Sequence, residues 1–337
     1  MSGPAWSKRA PQAKRHAIEA IALPAGFNGL IAYGRGGRIE HLRCAGFADV
    51  ETRQPVTAAT SFRWGSASKW LTSVAALRLV EQKRLDLEAP VGRYLTGLRP
   101  DSGQRVLLKH LLSNTSGIPD LLSRQIAVEP ELRTSAASAA SIVTRFAHGD
   151  LSFAPGEGWD YAALNWVIVA ALLNQVAGVP FPDLIQQQVL RPLRMSGAGF
   201  VQADQPPVPR LAAAYDGATP RMRKMAPVPP FLAASGNVAG SVEDAFRAVH
   251  GIFHGALLAP ASRRALTTIH WPDQQYALGG RVRTLNDEPW AWETGKVQGY
   301  RTHIAHRLAT SETIVVFNTT DMLQSTITDW VEGIARA

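Results

Sequence analysis

Thr60-Ser61-Phe62-Arg63-Trp64-Gly65-Ser66-Ala67-Ser68-Lys69-Trp70-Leu71-Thr72-Ser73-Val74-Ala75-Ala76-Leu77 is the stretch on which the reading turns. A short apolar run, Ser61-Phe62-Arg63-Trp64, leads into a helical pattern that opens at Ser66 and Lys69. Residues three apart at a helix start share a face, so the lysine amine lies against the serine hydroxyl and can take its proton. The partial positive charge of a helix N-terminus favours a neutral amine there and stabilises a developing oxyanion. Lysine suits that role and arginine does not, because a guanidinium keeps its proton. The chain is sparing with lysine. Lys8, Lys14, Lys69, Lys83, Lys109, Lys224 and Lys296 are its full complement, against 35 lysines and arginines together.

A lone Ser-x-x-Lys equally describes a capping serine followed by a solvated lysine. Two companions change the weighing. Pro155-Gly156-Glu157-Gly158-Trp159-Asp160-Tyr161 places a tyrosine just before the apolar run Leu164–Leu173. A tyrosine beside a lysine can relay the serine proton to a leaving group. Glu293-Thr294-Gly295-Lys296-Val297-Gln298-Gly299-Tyr300 sits on and just after a late strand. A glycine there lets a substrate run along the strand edge, and a backbone N–H can complete an oxyanion hole with that of Ser66.

Working outward, Lys14–Ala22 reads as an amphipathic helix. Gly29–Tyr33 and Ile39–Ala45 read as a hairpin closed by Gly34-Arg35-Gly36-Gly37, a turn rather than a phosphate loop, since no helix follows. Helices are predicted over Lys69–Glu81, Val106–Leu112, Ala136–Phe146, Leu164–Val176 and Asp183–Leu190. Residues 201–232 are Pro-rich and aperiodic and read as a long loop bordering a cleft. Ser241-Val242-Glu243-Asp244 opens a helix as a capping box. Strands follow at Tyr276–Arg283, Pro289–Glu293, Arg301–Arg307 and Thr313–Phe317, then a last helix, Met322–Ile334. Strands at both ends with helices between imply an α/β fold, one sheet closed by the chain's two ends around a helical insertion. Residues 1–65 and 240–337 would form the sheet unit and 66–239 a mainly helical one, with the cleft between them.

The chain has 337 residues, 46% hydrophobic, enough for a substantial core. Its formal net charge is +8, but the arginines are scattered, and clusters such as Lys8-Arg9 and Arg221-Met222-Arg223-Lys224 read as solvated surface rather than a nucleic-acid footprint. Cys44 is the only cysteine, so no intrachain disulfide forms, and a small core residue on a strand is the preferred reading. No signal peptide and no membrane-spanning run is visible, from which a cytoplasmic location is expected unless a leader has been removed. His250 and His254 lack a third ligand, and His303 and His306 fall on opposite faces of a strand, so no metal is expected. No Gly-x-Ser-x-Gly elbow, Walker loop or dinucleotide fingerprint is present.

The motifs together resemble the penicillin-recognising serine hydrolases, on the branch of class C β-lactamases, DD-peptidases, D-aminopeptidases and β-lactamase-like carboxylesterases. The resemblance runs from about Phe27 to about Thr320. It is carried by the lead-in Thr60–Gly65, by Leu85-Asp86-Leu87-Glu88-Ala89-Pro90-Val91 and by Leu111–Asp120. Ser235-Gly236-Asn237-Val238 and Ser241–Asp244 add to it. It implies an antiparallel sheet flanked by terminal helices, plus the helical unit, and no cofactor. Ser66 would be the acylated nucleophile, Lys69 its base and Tyr161 the tyrosine of a Tyr-x-Asn element. The N–H groups of Ser66 and Lys296 would be the oxyanion donors.

Two positions depart from the family's pattern. Ala163 replaces the Asn of Tyr-x-Asn; Asn165, one turn beyond Tyr161, is the candidate to compensate, against a structural role on its helix. Glu293 stands where the third motif has Lys or His. It either meets an ammonium-bearing substrate or forms a salt bridge in the cleft. Trp292, Thr294 and Gly295 join Glu293 and Asn165 as candidate substrate contacts, with Trp64, Trp70, Trp159, Trp166 and Trp290 divided between core and an aromatic pocket. The expected activity is hydrolysis, or acyl transfer, of a small ester or amide. β-Lactamase or DD-peptidase activity and a catalytically degenerate binding homologue are the alternatives.

Overall fold

The computed structural model describes residues 10–216 and 228–337 and the backbone of Arg223–Lys224. Lys8-Arg9, Arg221-Met222 and the centre of the predicted 201–232 loop lie outside the described residues.

Helix α1 (Gln12–Glu19) precedes a hairpin of β1 (Gly29–Arg35) and β2 (Arg38–Ala45). Arg35 pairs with Arg38, so Gly36-Gly37 is a two-residue turn; both have positive φ (56° and 74°), as the twist-matched hairpin turn requires. Strand β3 (Ser61–Arg63) then leads into α2 (Lys69–Glu81). Shorter helices at Pro100–Arg105, Leu108–Leu112, Leu121–Val128 and Ala139–Phe146 come before the long α3 (Ala163–Ala177). Strands β4 (Gly199–Phe200) and β5 (Val238–Ser241) pair beside β3 in a small three-stranded sheet. After α4 (Val242–Phe253) come β6 (Arg281–Leu285), β7 (Glu288–Val297), β8 (Tyr300–Arg307) and β9 (Glu312–Asn318), and finally α5 (Gln324–Arg336).

The main sheet is antiparallel, in the order β6-β7-β8-β9-β1-β2. Strand β9 is buried along its whole length, which suits its run Thr313-Ile314-Val315-Val316-Phe317: a strand covered on both faces reads as continuously apolar. One face packs on α1 and α5 through Ile31, Tyr33, Ile314, Val316, Ile327 and Val331. Lys14 of α1 donates to the carbonyls of Ile334 and Ala335, at 2.9 Å each, and so caps α5 with a cation at its negative end. The other face carries Leu30, Ala32, Val315 and Phe317 against α4 and the helical insertion.

At the centre of that insertion lie α2 and α3. Trp70, Leu71, Val74, Ala75, Leu77 and Leu79 of α2 and Leu164–Leu173 of α3 are buried all round, the pattern of helices enclosed by others. The capping box predicted at Ser241 is formed: its hydroxyl accepts from the Asp244 N–H while Asp244 accepts from the Ser241 N–H. One strand differs from expectation. Tyr276–Gly280 is not part of the sheet, which begins at Arg281. Gly279-Gly280 bring the backbone against α2 at Lys69, Ser73 and the Trp70 ring, which pulls this segment out of strand register.

Candidate active site

Ser66 lies in a tight turn of helix, Gly65–Ser68, that runs directly into α2 at Lys69. The spacing does what helical geometry allows: Lys69 Nζ is 3.0 Å from Ser66 Oγ. Lys69 is 3% exposed, and it also donates to the Ser235 carbonyl. Its Nζ lies over the rings of Tyr161 and Trp166, at 4.9 and 5.4 Å from their centroids, so two aromatic faces help to fix its position. Tyr161 donates to Ser66 Oγ at 2.8 Å. Ser66, Lys69 and Tyr161, chosen from three separate stretches of sequence, are thus within hydrogen-bond reach of one oxygen.

Gly65 and Gly295 set the distance between helix and strand. Gly65 has φ +53°, and a Cβ on it would lie 2.9 Å from the Gly295 Cα and 3.0 Å from the Lys296 nitrogen. A Cβ on Gly295 would lie 2.0 Å from the Trp64 carbonyl oxygen. Only two glycines let β7 approach this closely, and the approach brings the Lys296 backbone N–H next to Ser66. Strand β6 pairs with β7 only from Glu288 to Trp292, so Glu293–Val297 is a free edge on that side.

Tyr161 is fixed from behind. The Ser113–Pro119 loop holds the segment that carries it: Gly156 N–H donates to the Thr115 carbonyl and Asp160 N–H to that of Asn114. Asp120 caps two helices at once, accepting from Ser123 N–H and from the Ala163 N–H at the start of α3. Trp159 and Tyr276 pack on the Tyr161 ring at 5.9 and 6.1 Å between centroids.

Three proposed substrate contacts are corrected by this geometry. Asn165 is 1% exposed; its Nδ2 donates to Asn114 and its Oδ1 accepts from Ser116. Its amide therefore ties α3 to the supporting loop, the structural role weighed for it. Trp292 and Thr294 face the other side of the sheet. Trp292 packs edge-on against His303 at 4.3 Å, and Thr294 is the register partner of that same His303, which contacts Thr328 of α5. Facing pairs in an antiparallel sheet point the same way, so both side chains turn from Ser66. Glu293 and Gly295 lie on the near face, opposite Ile304 and Thr302.

Glu293 is 1% exposed, and both of its oxygens accept from Arg281, at 3.1 and 3.2 Å. The Thr294 N–H donates to it as well. Burial raises its pKa, opposed by the Arg281 charge. The salt bridge, rather than contact with an ammonium substrate, is the arrangement present. Of these tryptophans, Trp64, Trp70, Trp166, Trp290 and Trp292 are buried in the core, Trp166 with its ring against Lys69, and Trp159 is half-buried beside Tyr161. Sequence reasoning assigned no role to the Ser235 carbonyl, which orients the lysine, or to Tyr276, which braces Tyr161. Ser235 was visible as a motif, but a backbone acceptor leaves no mark on residue type. The histidines separate as expected: His303 contacts α5, whereas His306 bonds His254 of α4 at 2.9 Å. Among the described residues no group of His, Cys, Asp and Glu is arranged to hold a metal.

A pocket of about 310 Å³ opens beside Ser66, lined by Gly65, Ile126, Arg133, Leu232 and Lys296–Gln298 among others.

Comparison with known proteins agrees with the geometry. The beta-lactamase family model matches residues 19–332. Esterase EstB of Burkholderia gladioli is 32% identical over 230 residues, 64% of this chain and 55% of the esterase. The chain spans about half the length of the curated relatives it matches. A penicillin-binding protein from Bacillus halodurans superposes with a TM-score of 0.81 at 20% identity, covering 96% of this chain and all of that one. A D-amino acid amidase from Ochrobactrum anthropi SV3 superposes at 0.76 with 19% identity, covering 92% and 93%. These likenesses and the Ser66-Lys69-Tyr161 centre place the chain in the beta-lactamase family.

Proposed function

We propose that this protein is a serine hydrolase that cleaves small esters or amides through an acyl-enzyme on Ser66. The observation that carries the reading is the double contact on Ser66 Oγ, from Tyr161 at 2.8 Å and Lys69 at 3.0 Å, at the mouth of a pocket. Ser66 Oγ attacks the carbonyl carbon while its proton passes to the Lys69–Tyr161 pair. The carbonyl oxygen takes negative charge between the N–H groups of Ser66 and Lys296. The bond to the leaving group breaks, and Tyr161 returns the proton to the departing oxygen or nitrogen. Water then attacks the acyl-enzyme, releasing the acid and restoring the Ser66 hydroxyl; another alcohol in place of water would give acyl transfer.

An ester is favoured over a β-lactam or a D-Ala-D-Ala peptide. The Glu293–Arg281 pair occupies the place of the third motif's basic group, and Asn165, tied to Asn114, does not replace the side-chain amide missing at Ala163. The name of the esterase relative supports the same ranking. The test is fluorophosphonate labelling of the wild type and Ser66→Ala, followed by assays of short-chain aryl esters, D-amino-acid amides and a chromogenic cephalosporin. We expect labelling of the wild type alone and fastest turnover of the esters. Absence of both labelling and turnover would support a degenerate binding homologue, and preferential cephalosporin cleavage would make it a β-lactamase.

A further inference from the structure

We propose that the pocket beside Ser66 receives an acyl group with an apolar body and an anionic end, a carboxylate in the simplest case. The proposal rests on the hydrolase reading above and names the substrate class for it. Ser66 and Lys296, bearers of the two oxyanion N–H groups, both line this pocket, whereas Lys69 and Tyr161 do not. The leaving group must depart toward Tyr161 to collect its proton. The pocket, which Ser66 lines and Tyr161 does not, is therefore assigned to the acyl chain.

Its walls include five apolar side chains, Ile126, Val228, Pro229, Leu232 and Val297, beside the polar Ser235 and Asn237. Among the described residues no aspartate or glutamate lines it, while Arg133 does. Arg133 is exposed and forms no ion pair among the described residues. A second cation stands behind the wall. Arg63 is 3% exposed, and of its guanidinium nitrogens only Nη1 has a hydrogen-bond partner, the side-chain Oε1 of Gln298 at 2.7 Å; Nε and Nη2 are buried without one. A buried guanidinium lacking a carboxylate is costly and raises the local positive potential. Gln298, which it holds, lines the pocket. Glu293 cannot cancel the field there: it is neutralised by Arg281, and at about 3.4 Å per residue it lies roughly 17 Å along the chain from Gln298. An acyl chain that fills the apolar walls and ends in a carboxylate would meet Arg133 in a charge-assisted pair.

The test holds the leaving group constant. Mono-p-nitrophenyl esters of glutarate, adipate and suberate are compared with neutral p-nitrophenyl esters of equal chain length. At the best length the anionic ester should exceed its neutral twin at least about tenfold in kcat/KM, mostly through KM, with the advantage shrinking at high salt. Arg133→Gln should bring that ratio close to one, and Arg133→Lys should keep part of it. A wild-type ratio of one or less at every length, or a ratio that Arg133→Gln leaves intact, overturns the proposal while ester turnover itself upholds the hydrolase. If no ester is turned over, calorimetry decides: adipate must bind the Ser66→Ala protein and bind Ser66→Ala with Arg133→Gln more weakly. Equal or absent binding overturns the anionic pocket independently of catalysis.

Discussion

Glu293 and Arg281 show how one exchanged residue alters a site. A carboxylate buried at the position of a basic group has to be matched, and Arg281, on the neighbouring strand, matches it through both oxygens. Arg281→Ala would leave Glu293 buried and alone, and we expect a loss of about 3 kcal/mol in urea unfolding. If Glu293 instead served ammonium substrates, freeing it would raise turnover of D-amino-acid amides over neutral esters, a result that would count against the structural pair. The fate of Asn165 carries the same lesson. From sequence it stood one turn past Tyr161, with a structural role on its helix preferred over substrate contact. Its partners, Asn114 and Ser116, lie in a distant loop and could not be named from spacing. Ser66, Lys69 and Tyr161 were legible because each needs a particular chemical group; Asn165 was ambiguous because an amide suits either task.

Among the elements, α2 and β7 matter most, and their closeness depends on Gly65 and Gly295. Gly295→Ala would set a methyl group against the Trp64 carbonyl oxygen, whose position β3 and β5 hold. We expect β7 to shift outward, carrying the Lys296 N–H off the oxyanion. Ester kcat should fall by about 100-fold, in the range found on removing one oxyanion donor, with the far-ultraviolet circular dichroism unchanged. A fall in KM alone would contradict this. The α2 boundaries, Lys69–Glu81, coincide with those read from the sequence, because the helix opens at a chemically marked residue. Helices at Leu121–Val128 and Pro260–Thr267 were not anticipated, their short patterns resembling the loops around them. The strand expected from Tyr276 failed for a tertiary reason, the contact of Gly279-Gly280 with α2, invisible to local periodicity.

Across the whole molecule, several histidines are buried uncharged. Burial pushes His303 down to about 3, helped by the Arg283 charge, and His110 down to about 4, helped by Lys109. His306 is also lowered by burial and by His254. The unfolded chain protonates these rings near about 6.5, whereas the native protein does not. Unfolding therefore takes up protons, and stability present above about pH 6.5 is lost as pH falls toward about 4, by up to roughly 1.4 kcal/mol per unit for each ring. Glu293, with its raised pKa, acts in the opposite sense, but one carboxyl is set against three imidazoles. Urea midpoints should drop steadily over this interval, and His303→Gln should flatten the slope; a flat wild-type profile would refute the assignment. The architecture was readable because apolar strands gather at both ends of the chain. That same placement governs how the protein is made. Strand β9 lies between β8 and β1, so one edge of the β1–β2 hairpin stays unpaired until the last of the described strands has been synthesised. On the mechanism proposed above, Ser66 would gain its second oxyanion donor only once Lys296 had followed, and the nascent chain would be unarmed until then.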